Sequence, residues 1–376
     1  MKVSVVGGGN AGVFTALYLA HYINGCEVDL IYDPKIPPER VGQATTLDAP
    51  RMLWSTLGVN WYNNPINATF KSGILYEGFG KVNDKVFHDF PSDNMAMHYC
   101  PWEMQKYLLN SGFFKVIEGN IDPKDVDADY VFDCRGKPDD FSNYHQLLNP
   151  TNAAILAKPN WNTSEKFWSR HVATPDGWTF IIPTHPTSPS NDYCVGYCYN
   201  SSITSKEDAE KNMLEMFDVE ITKHVNYNNY LAKNMIVDDR IILNGNRLFF
   251  IEPLESSSTQ TYIEVAQYFG KYGIGDINYQ SHTYIRNVQN FILWHYQFGS
   301  KYDTPFWKYA KTLPFMPDFE FNNMIETSKK MSYIEMENEW QYDVEKNYYG
   351  QWTFPSFRCW VDGTKIEKTA GKGFGA

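Results

Sequence analysis

The sequence predicts an α/β fold built on a parallel β-sheet, and three observations near the N-terminus carry this prediction. Residues 3–6 form a β-branched run that is typical of a buried strand. Glycines follow, and residues 13–23 then place apolar side chains at helical spacing. A second strand is predicted over Glu27–Tyr32, because the proline that follows at residue 34 cannot continue a ladder. A strand, a helix and a strand in this order predict parallel pairing.

The rest of the chain alternates strand-like and helix-like stretches, which fits the same fold class. A further buried strand is predicted over Ala128–Cys134, and a hairpin-like stretch over residues 73–86. The remaining predicted elements are helices over 47–57 and 102–111, strands over 178–182, 193–199 and 240–251, and a helical, aromatic region from about Tyr279 onward.

Length and composition indicate a globular protein with a large core. The chain has 376 residues, which allows about two domains of ~150 residues or one elaborated domain. Hydrophobic residues make up 43% and aromatic residues 16%, which excludes disordered and coiled-coil classes. No repeat and no clear linker is present, so we expect interwoven segments. Residues 1–295 are predicted to form one module, and residues 296–376 a helical, aromatic-rich cap.

Charge and cysteine content exclude several classes of partner. Lys plus Arg total 33 and Asp plus Glu total 44, so the net charge is −11, which disfavours nucleic acid. The six cysteines include no CxxC pair, which indicates reduced thiols and no metal site. Residues 3–20 carry no charge, as in the apolar segment of a signal peptide. Glycines interrupt this run, however, so a strand followed by a turn is predicted instead. We expect a cytoplasmic protein that contacts no membrane.

The glycine-rich turn predicts a dinucleotide site. Gly7, Gly9 and Gly12 match G-x-G-x-x-G directly after a strand and before a helix. Gly7 permits a tight turn, Gly9 lets the backbone approach a pyrophosphate, and Gly12 allows close helix–strand packing. Asn10 and Ala11 complete the turn at the helix N-terminus, whose free N–H groups attract an anion.

Asp33 has two interpretations that the sequence leaves open. It ends the second strand 21 positions after Gly12, where an acidic residue holds a ribose in FAD and NAD proteins. It also directly precedes Pro34, where aspartate is a common turn residue.

Five further segments occur in a fixed order along the chain. They are Gly42–Thr45 (Gly-Gln-Ala-Thr), Phe70–Ile74 (Phe-Lys-Ser-Gly-Ile), Gly177–Pro183 (Gly-Trp-Thr-Phe-Ile-Ile-Pro), Glu252–Ser257 (Glu-Pro-Leu-Glu-Ser-Ser), and His295-Tyr296 with Asp303–Trp307. Together they resemble the flavin-dependent halogenases of the tryptophan-halogenase type, and the short chain is most similar to compact, for example phage-encoded, members. The sequence departs from that pattern at Gln43 (Glu in the family), Phe180 (Trp) and Ser258 (Gly in many members).

The resemblance implies an FAD-binding Rossmann-like fold and an oxidoreductase activity. In that family, reduced FAD, O2 and a halide (chloride, bromide or iodide) yield hypohalous acid, which halogenates a small aromatic substrate. Gln43 and Ala44 are then expected to contact FAD together with the glycine turn. A separate flavin reductase is the implied partner, and a homo-oligomer is compatible with the sequence. Residues 1–295 would be the FAD-binding halogenase module, with substrate-binding segments interwoven.

The resemblance also assigns roles to individual residues. Lys71 is expected to hold hypohalous acid, whereas an ordinary surface lysine at the end of a strand is the alternative. Glu255 is expected to stabilise the cationic arene intermediate or take its proton; the alternative is a capping or ion-paired glutamate. The backbone N–H groups of Ser257 and Ser258 are expected to bind the halide, with the hydroxyls either assisting or capping the next helix.

The aromatic segment is expected to separate the flavin from the substrate. Trp178, Phe180 and Pro183 would form this wall, although a core strand has the same residue types. His295 reads as a buried core histidine. The predicted function is FADH2-dependent halogenation of an indole or phenol. The alternatives are a flavin monooxygenase that hydroxylates directly, and a catalytically silent flavoprotein.

Overall fold

A computed structural model describes residues 1–80, 84–90, 96–332, 334–336 and 349–362. The helices are α1 (Asn10–Tyr22), α2 (Asp48–Leu57), α3 (Pro101–Leu109), α4 (Lys206–Met216), α5 (Ser258–Gln297), α6 (Pro305–Thr312), α7 (Phe319–Lys330) and α8 (Phe354–Val361). The strands are β1 (Lys2–Val6), β2 (Glu27–Tyr32), β3 (Gln43–Ala44), β4 (Thr69–Lys71), β5 (Gly73–Glu77), β6 (Lys85–Asp89), β7 (Ala96–Tyr99), β8 (Lys115–Glu118), β9 (Tyr130–Asp133), β10 (Tyr144–Gln146), β11 (Ala153–Pro159), β12 (Ser169–Thr174), β13 (Gly177–Ile181), β14 (Val195–Tyr199), β15 (Val219–Asn226), β16 (Tyr230–Ala232), β17 (Ile236–Val237), β18 (Ile241–Leu243) and β19 (Phe249–Phe250).

The N-terminal strands form the predicted parallel sheet. Its order is β17-β18-β9-β1-β2-β8, and β1 pairs in parallel with both β2 and β9. The register places Val3 beside Val28 on one side and beside Tyr130 on the other. Helix α1 connects β1 to β2 and begins at Asn10, three residues before the predicted start, because Gly9 already stands at the N-cap. The α/β fold class with a Rossmann-like sheet is therefore confirmed.

A second, largely antiparallel sheet carries several candidate site residues. Its order is β15-β11-β14-β13-β12-β5-β6, and only the β12–β5 pair is parallel. The hairpin predicted over residues 73–86 is the antiparallel pair β5–β6, which extends to Asp89 and places Ile74 opposite His88. Two three-stranded sheets, β10-β16-β19 and β3-β7-β4, complete the β-structure of the described residues. Strand β4 ends at Lys71, next to the start of this hairpin.

Two predictions of element bounds are wrong. The predicted strand over 240–251 is split into β18 and β19, because Gly245 adopts a positive φ of 62° and begins a short turn. The helical region predicted from about Tyr279 begins 21 residues earlier, at Ser258, and is kinked at Gly273 (φ 59°). Serine and threonine at its first turn and glycines near the kink have low helix propensity, which masks the helix in the sequence.

The C-terminal elements pack onto the second sheet. Helix α8 contacts β6, and the Trp360 ring lies 4.8 Å from that of Tyr76 on β5. The predicted division between residues 295 and 296 falls two residues before the end of α5, and the separation into module and cap stays a prediction. Residues 337–348 and 363–376 of the predicted cap lie outside the described residues. Among the described helices, none has the length and apolar character needed to cross a membrane.

Candidate active site

Lys71 is buried at the end of β4. Its side chain has no exposed surface, so the alternative prediction of a surface lysine is wrong. Nζ donates a hydrogen bond to the carbonyl oxygen of Thr45 at 2.9 Å and lies 5.0 Å from the centre of the Phe90 ring. Burial disfavours the ammonium and lowers the pKa of Lys71 to about 7, although the negative charge of Glu255 opposes this shift.

Glu255 lies in the loop between β19 and α5, and its carboxylate is enclosed by four side chains. These are Tyr76 and His295 on Oε1, and Trp352 and His88 on Oε2. The Trp352 indole donates from Nε1 at 3.0 Å, and Nδ1 of His88 lies 3.2 Å away. Burial alone would raise the pKa of Glu255, but the charges of His88 and His295 outweigh burial and hold it well below its usual range. The carboxylate is therefore ionised.

His295 contacts Glu255, whereas the sequence predicts only a buried core histidine at this position. Its Nδ1 lies 2.7 Å from the carbonyl oxygen of Phe291, and its Nε2 lies 2.5 Å from Oε1 of Glu255. The carbonyl oxygen of Phe291 can only accept a hydrogen bond, so Nδ1 carries a proton, and Nε2 faces the carboxylate. His295 therefore connects the carboxylate of Glu255 to helix α5. The His-Tyr segment of the family pattern was the available sequence signal.

A chain of contacts connects Lys71 to Glu255. The Phe90 ring that lies beneath Nζ of Lys71 is 5.4 Å from the His88 ring, and His88 contacts the carboxylate. His88 and Phe90 come from the β6 side of the hairpin, and Tyr76 comes from β5. The hairpin thus joins two residues that are 184 positions apart in the sequence into one buried cluster.

The start of α5 presents backbone donors beside Glu255. Ser256 has a positive φ of 55°, and Ser257 follows with φ −80° and ψ −14°. A left-handed residue followed by a right-handed one curls successive N–H groups toward one point and forms an anion-binding nest. Ser257 is 3% exposed, and its hydroxyl makes no capping hydrogen bond to the helix, so the alternative in which this hydroxyl caps α5 is wrong. Ser258 is the first residue of α5.

Comparison with known proteins identifies the family. The sequence model described as tryptophan halogenase matches residues 2–115 and 120–353. The chain belongs to the tryptophan halogenase family. It is an enzyme of the flavin-dependent halogenase type.

The relatives of this halogenase are distant in sequence but similar in fold. Tryptophan 7-halogenase RebH of Lentzea aerocolonigenes is 21% identical, over 83% of this chain and 79% of RebH. The structure of MibH, a tryptophan 5-halogenase, matches with a TM-score of 0.75 and 18% identity, covering 90% of this chain and 81% of MibH. A tryptophan halogenase from Shewanella frigidimarina matches with a TM-score of 0.73 and 17% identity, covering 96% and 88%. These structural likenesses establish the fold.

The glycine turn of the halogenase fits a dinucleotide. A Cβ on Gly12 would lie 1.8 Å from the carbonyl oxygen of Gly7, and one on Gly7 would lie 2.4 Å from that of Cys134. These two glycines are therefore required for packing. A Cβ on Gly9 would meet no atom within 4 Å, so this position faces open space. Oδ1 of Asn10 is buried without a hydrogen-bond partner among the described residues. Open space beside free donors and an orphaned polar atom fits the FAD pyrophosphate.

The other residues predicted to contact FAD lie in helix α1, in the turn after β2 and in strand β3. Ala11 is buried in α1, and its methyl group packs closely against Gly245, where an added Cβ would lie only 2.4 Å away. Because this methyl group faces the protein, only the backbone of Ala11 can contact a cofactor. Asp33 accepts a hydrogen bond from the backbone N–H of Lys35 at 2.9 Å, as a turn residue does, and its contact with a ribose stays a prediction. Gln43 and Ala44 form β3, which pairs with β7.

The predicted aromatic wall of the halogenase lies on and after β13. Trp178 has no exposed surface, and its ring is 6.1 Å from that of Phe180. The carbonyl oxygen of Pro183 accepts a hydrogen bond from Thr69 on β4 at 2.7 Å. The wall is thus tied to the strand that ends at Lys71. Its role between flavin and substrate stays a prediction.

Proposed function

We propose that this halogenase attaches a halogen to an electron-rich arene of the indole or phenol type, with Lys71 and Glu255 as its catalytic residues. When bound, reduced FAD supplies the two electrons with which O2 converts a halide and a proton into hypohalous acid and water. The residues of this chain must then hold that acid, direct it to the arene and remove the arene proton. The observation that carries the proposal is the burial of one lysine and one glutamate in a single contact cluster.

Lys71 suits the first task because its ammonium is buried and already oriented. Thr45 accepts one of its three protons, which leaves two for the oxygen of hypohalous acid. A hydrogen bond to this oxygen polarises the oxygen–halogen bond and makes the halogen more electrophilic. A pKa of about 7 keeps a substantial fraction of Lys71 protonated at neutral pH.

Glu255 suits the second task because it remains ionised in a buried site. Attack of an arene on the halogen creates a ring cation, which a fixed carboxylate stabilises strongly at low dielectric constant. The ring cation is a strong acid, so even a carboxylate of low pKa accepts its proton. His295 acts as a positioning residue, since it holds Oε1, while Oε2 contacts Trp352 and His88.

The nest at the start of α5 is proposed to hold the halide. The N–H groups of Ser257 and Ser258 lie within the first turn, where the helix dipole also favours an anion. The same turn carries Glu255 two residues earlier, so one short segment joins the proposed halide site to the proposed arene site. A separate flavin reductase is proposed to supply FADH2.

The experiment combines the purified chain with a flavin reductase, NADH, FAD, O2, one halide at a time and simple indoles or phenols. Mass spectrometry of the small molecules distinguishes three outcomes. A halogen isotope pattern supports the proposal, an added oxygen atom supports direct hydroxylation, and no product supports a silent flavoprotein. Reductase with FAD but without the chain corrects for oxidants released into solution.

A further inference from the structure

Trp352 meets the catalytic carboxylate in the way that an indole substrate would. Its Nε1 donates to Oε2 of Glu255 at 3.0 Å, and its ring stacks on Phe291 with centres 4.1 Å apart and planes 15° from parallel. The side chain is 2% exposed, so bulk solvent does not compete for this contact. An electron-rich arene thus already lies against the residue proposed to stabilise the ring cation.

The backbone holds this indole in place. Residues 349 and 352 exchange two backbone hydrogen bonds, of 2.9 and 3.1 Å, around Gly350, which has a positive φ of 63°. Helix α8 begins two residues after Trp352 and is capped by Thr353 and Ser356. Hydrogen bonds therefore hold the backbone both before and after Trp352, and they fix the position of its indole.

We infer that Trp352 is itself a modification site: without a bound arene, the enzyme halogenates this indole at the carbon Cδ1. The inference rests on the proposed function, because the oxidant is the hypohalous acid held at Lys71. Cδ1 is the unsubstituted carbon of the pyrrole ring, the most nucleophilic position left on a 3-substituted indole. It is bonded to Nε1, and so lies next to the contact with Glu255.

The step balances without any further reagent. A ring electron pair of Trp352 forms the Cδ1–halogen bond while the oxygen–halogen bond of hypohalous acid breaks. The departing hydroxide takes a proton from the Lys71 ammonium and becomes water. Glu255 accepts the proton that leaves Cδ1, which restores the aromatic ring. The net change replaces hydrogen by halogen, releases one molecule of water and moves one proton from Lys71 to Glu255, and exchange of one proton with solvent at each group restores the enzyme.

A chain of contacts connects the lysine that would hold the oxidant to the indole. Lys71 lies over Phe90, Phe90 adjoins His88, and His88 contacts the same Glu255 oxygen as Trp352 does. Hypohalous acid free in solution would instead reach exposed side chains first. Trp54 on α2 is 63% exposed and therefore reports labelling by free oxidant. Trp307 is 2% exposed, as Trp352 is, and therefore shows whether a buried indole is labelled without the contact to Glu255.

The test uses the full wild-type chain with reductase, NADH, FAD, O2 and bromide, with no arene added. After trypsin digestion, mass spectrometry of the peptide that carries Trp352 is expected to show the bromine isotope doublet, at a higher fraction than the peptides of Trp54 and Trp307. The doublet is expected to disappear in K71A and W352F, and to weaken when an indole competes. The wild-type measurement does not depend on any variant folding.

Two results would overturn the inference. Equal or stronger labelling of Trp54 would mean that bromination comes from free oxidant. Bromination of an added indole without labelling of Trp352 would reject the modification site and leave the proposed function intact. If neither the indole nor Trp352 gains bromine, the proposed function fails, and the inference fails with it.

Discussion

His295 and Glu255 form a buried ion pair, with 2.5 Å between Nε2 and Oε1, in which the histidine also donates from Nδ1 to the carbonyl oxygen of Phe291. Both groups are almost fully enclosed, so each depends on the other for charge compensation. Removing one member of such a pair costs about 3–5 kcal/mol in other proteins. The pair therefore couples the stability of this region to the protonation of the proposed catalytic carboxylate.

Replacing His295 by asparagine is expected to raise the pKa of Glu255, because one of the two histidines whose charges oppose the effect of burial is then lost. Halogenation should lose activity on the acidic side, with kcat falling at a higher pH than in the wild type. The measurement is the pH profile of kcat between about pH 5 and about pH 9. H224N, which breaks a half-exposed contact with Glu210, is the control. A lower melting temperature with an unchanged profile would reduce His295 to a structural role.

Replacing Glu255 by glutamine is expected to lower kcat by about two orders of magnitude, similar to the loss of other fixed electrostatic or proton-accepting groups. Glutamine keeps the shape of the side chain but removes the charge that stabilises the ring cation. FAD binding, measured by fluorescence titration, should remain at the wild-type level. If FAD binding is lost in E255Q, the residue belongs to the cofactor site instead.

Lys71 gives the halogenation reaction a pH dependence of defined sign. Below its pKa of about 7 the side chain is an ammonium, and above it the neutral amine predominates. If the ammonium polarises hypohalous acid, product formation should fall by about tenfold per pH unit well above pH 7. If the neutral amine forms a haloamine, the rate should instead rise as pH increases toward the pKa of about 7 and level off above it. K71A should oxidise FADH2 normally and yield no halogenated product, and an unchanged product yield in K71A would remove the lysine from the mechanism.

The glycine turn allows cofactor binding to be separated from folding. Gly9→Ala adds a methyl group to open space and should preserve the melting temperature while weakening FAD binding. Gly12→Ala forces an atom to within 1.8 Å of the Gly7 carbonyl oxygen and should lower the melting temperature. Calorimetry and FAD titration on both variants measure the two effects. Equal FAD affinity in G9A and the wild type would place the pyrophosphate elsewhere.

Local patterns were sufficient to predict part of this architecture. The strand–turn–helix unit at residues 2–32 follows from residue types at short spacing, and the resemblance to the family's segments singled out Lys71 and Glu255. The environment of Glu255 does not, because Tyr76 and Trp352 lie 179 and 97 positions away and reach it only through tertiary packing. His295 was expected to be a core histidine, and only the packed structure shows that it contacts Glu255. Such contacts require the packed structure.

Glu252 provides a test of the polar network that supports the Glu255 loop. Its backbone N–H donates to Oδ1 of Asn229 at 2.8 Å, and its carboxyl accepts hydrogen bonds from Thr151 and Tyr296. The side chain has no exposed surface. Burial raises the pKa of Glu252 to about 7, and hydrogen bonds from Thr151, Asn149 and Tyr296 only partly oppose this. Since a glutamate in the unfolded chain has a pKa of about 4.3, the native state retains a proton that the unfolded state releases between these values.

Stability must therefore fall as pH rises from about 4.3 to about 7, by about 3–4 kcal/mol from this group. E252Q keeps a neutral side chain at every pH and should lose this dependence. Its free energy of unfolding relative to the wild type should accordingly improve by about 2.5 kcal/mol between about pH 5 and about pH 8. Urea unfolding at the two pH values measures the difference, with E326Q, which removes an exposed carboxylate, as the control. A difference that does not change with pH would show that Glu252 is ionised in the folded protein and that its four hydrogen-bonded neighbours, rather than a retained proton, stabilise it.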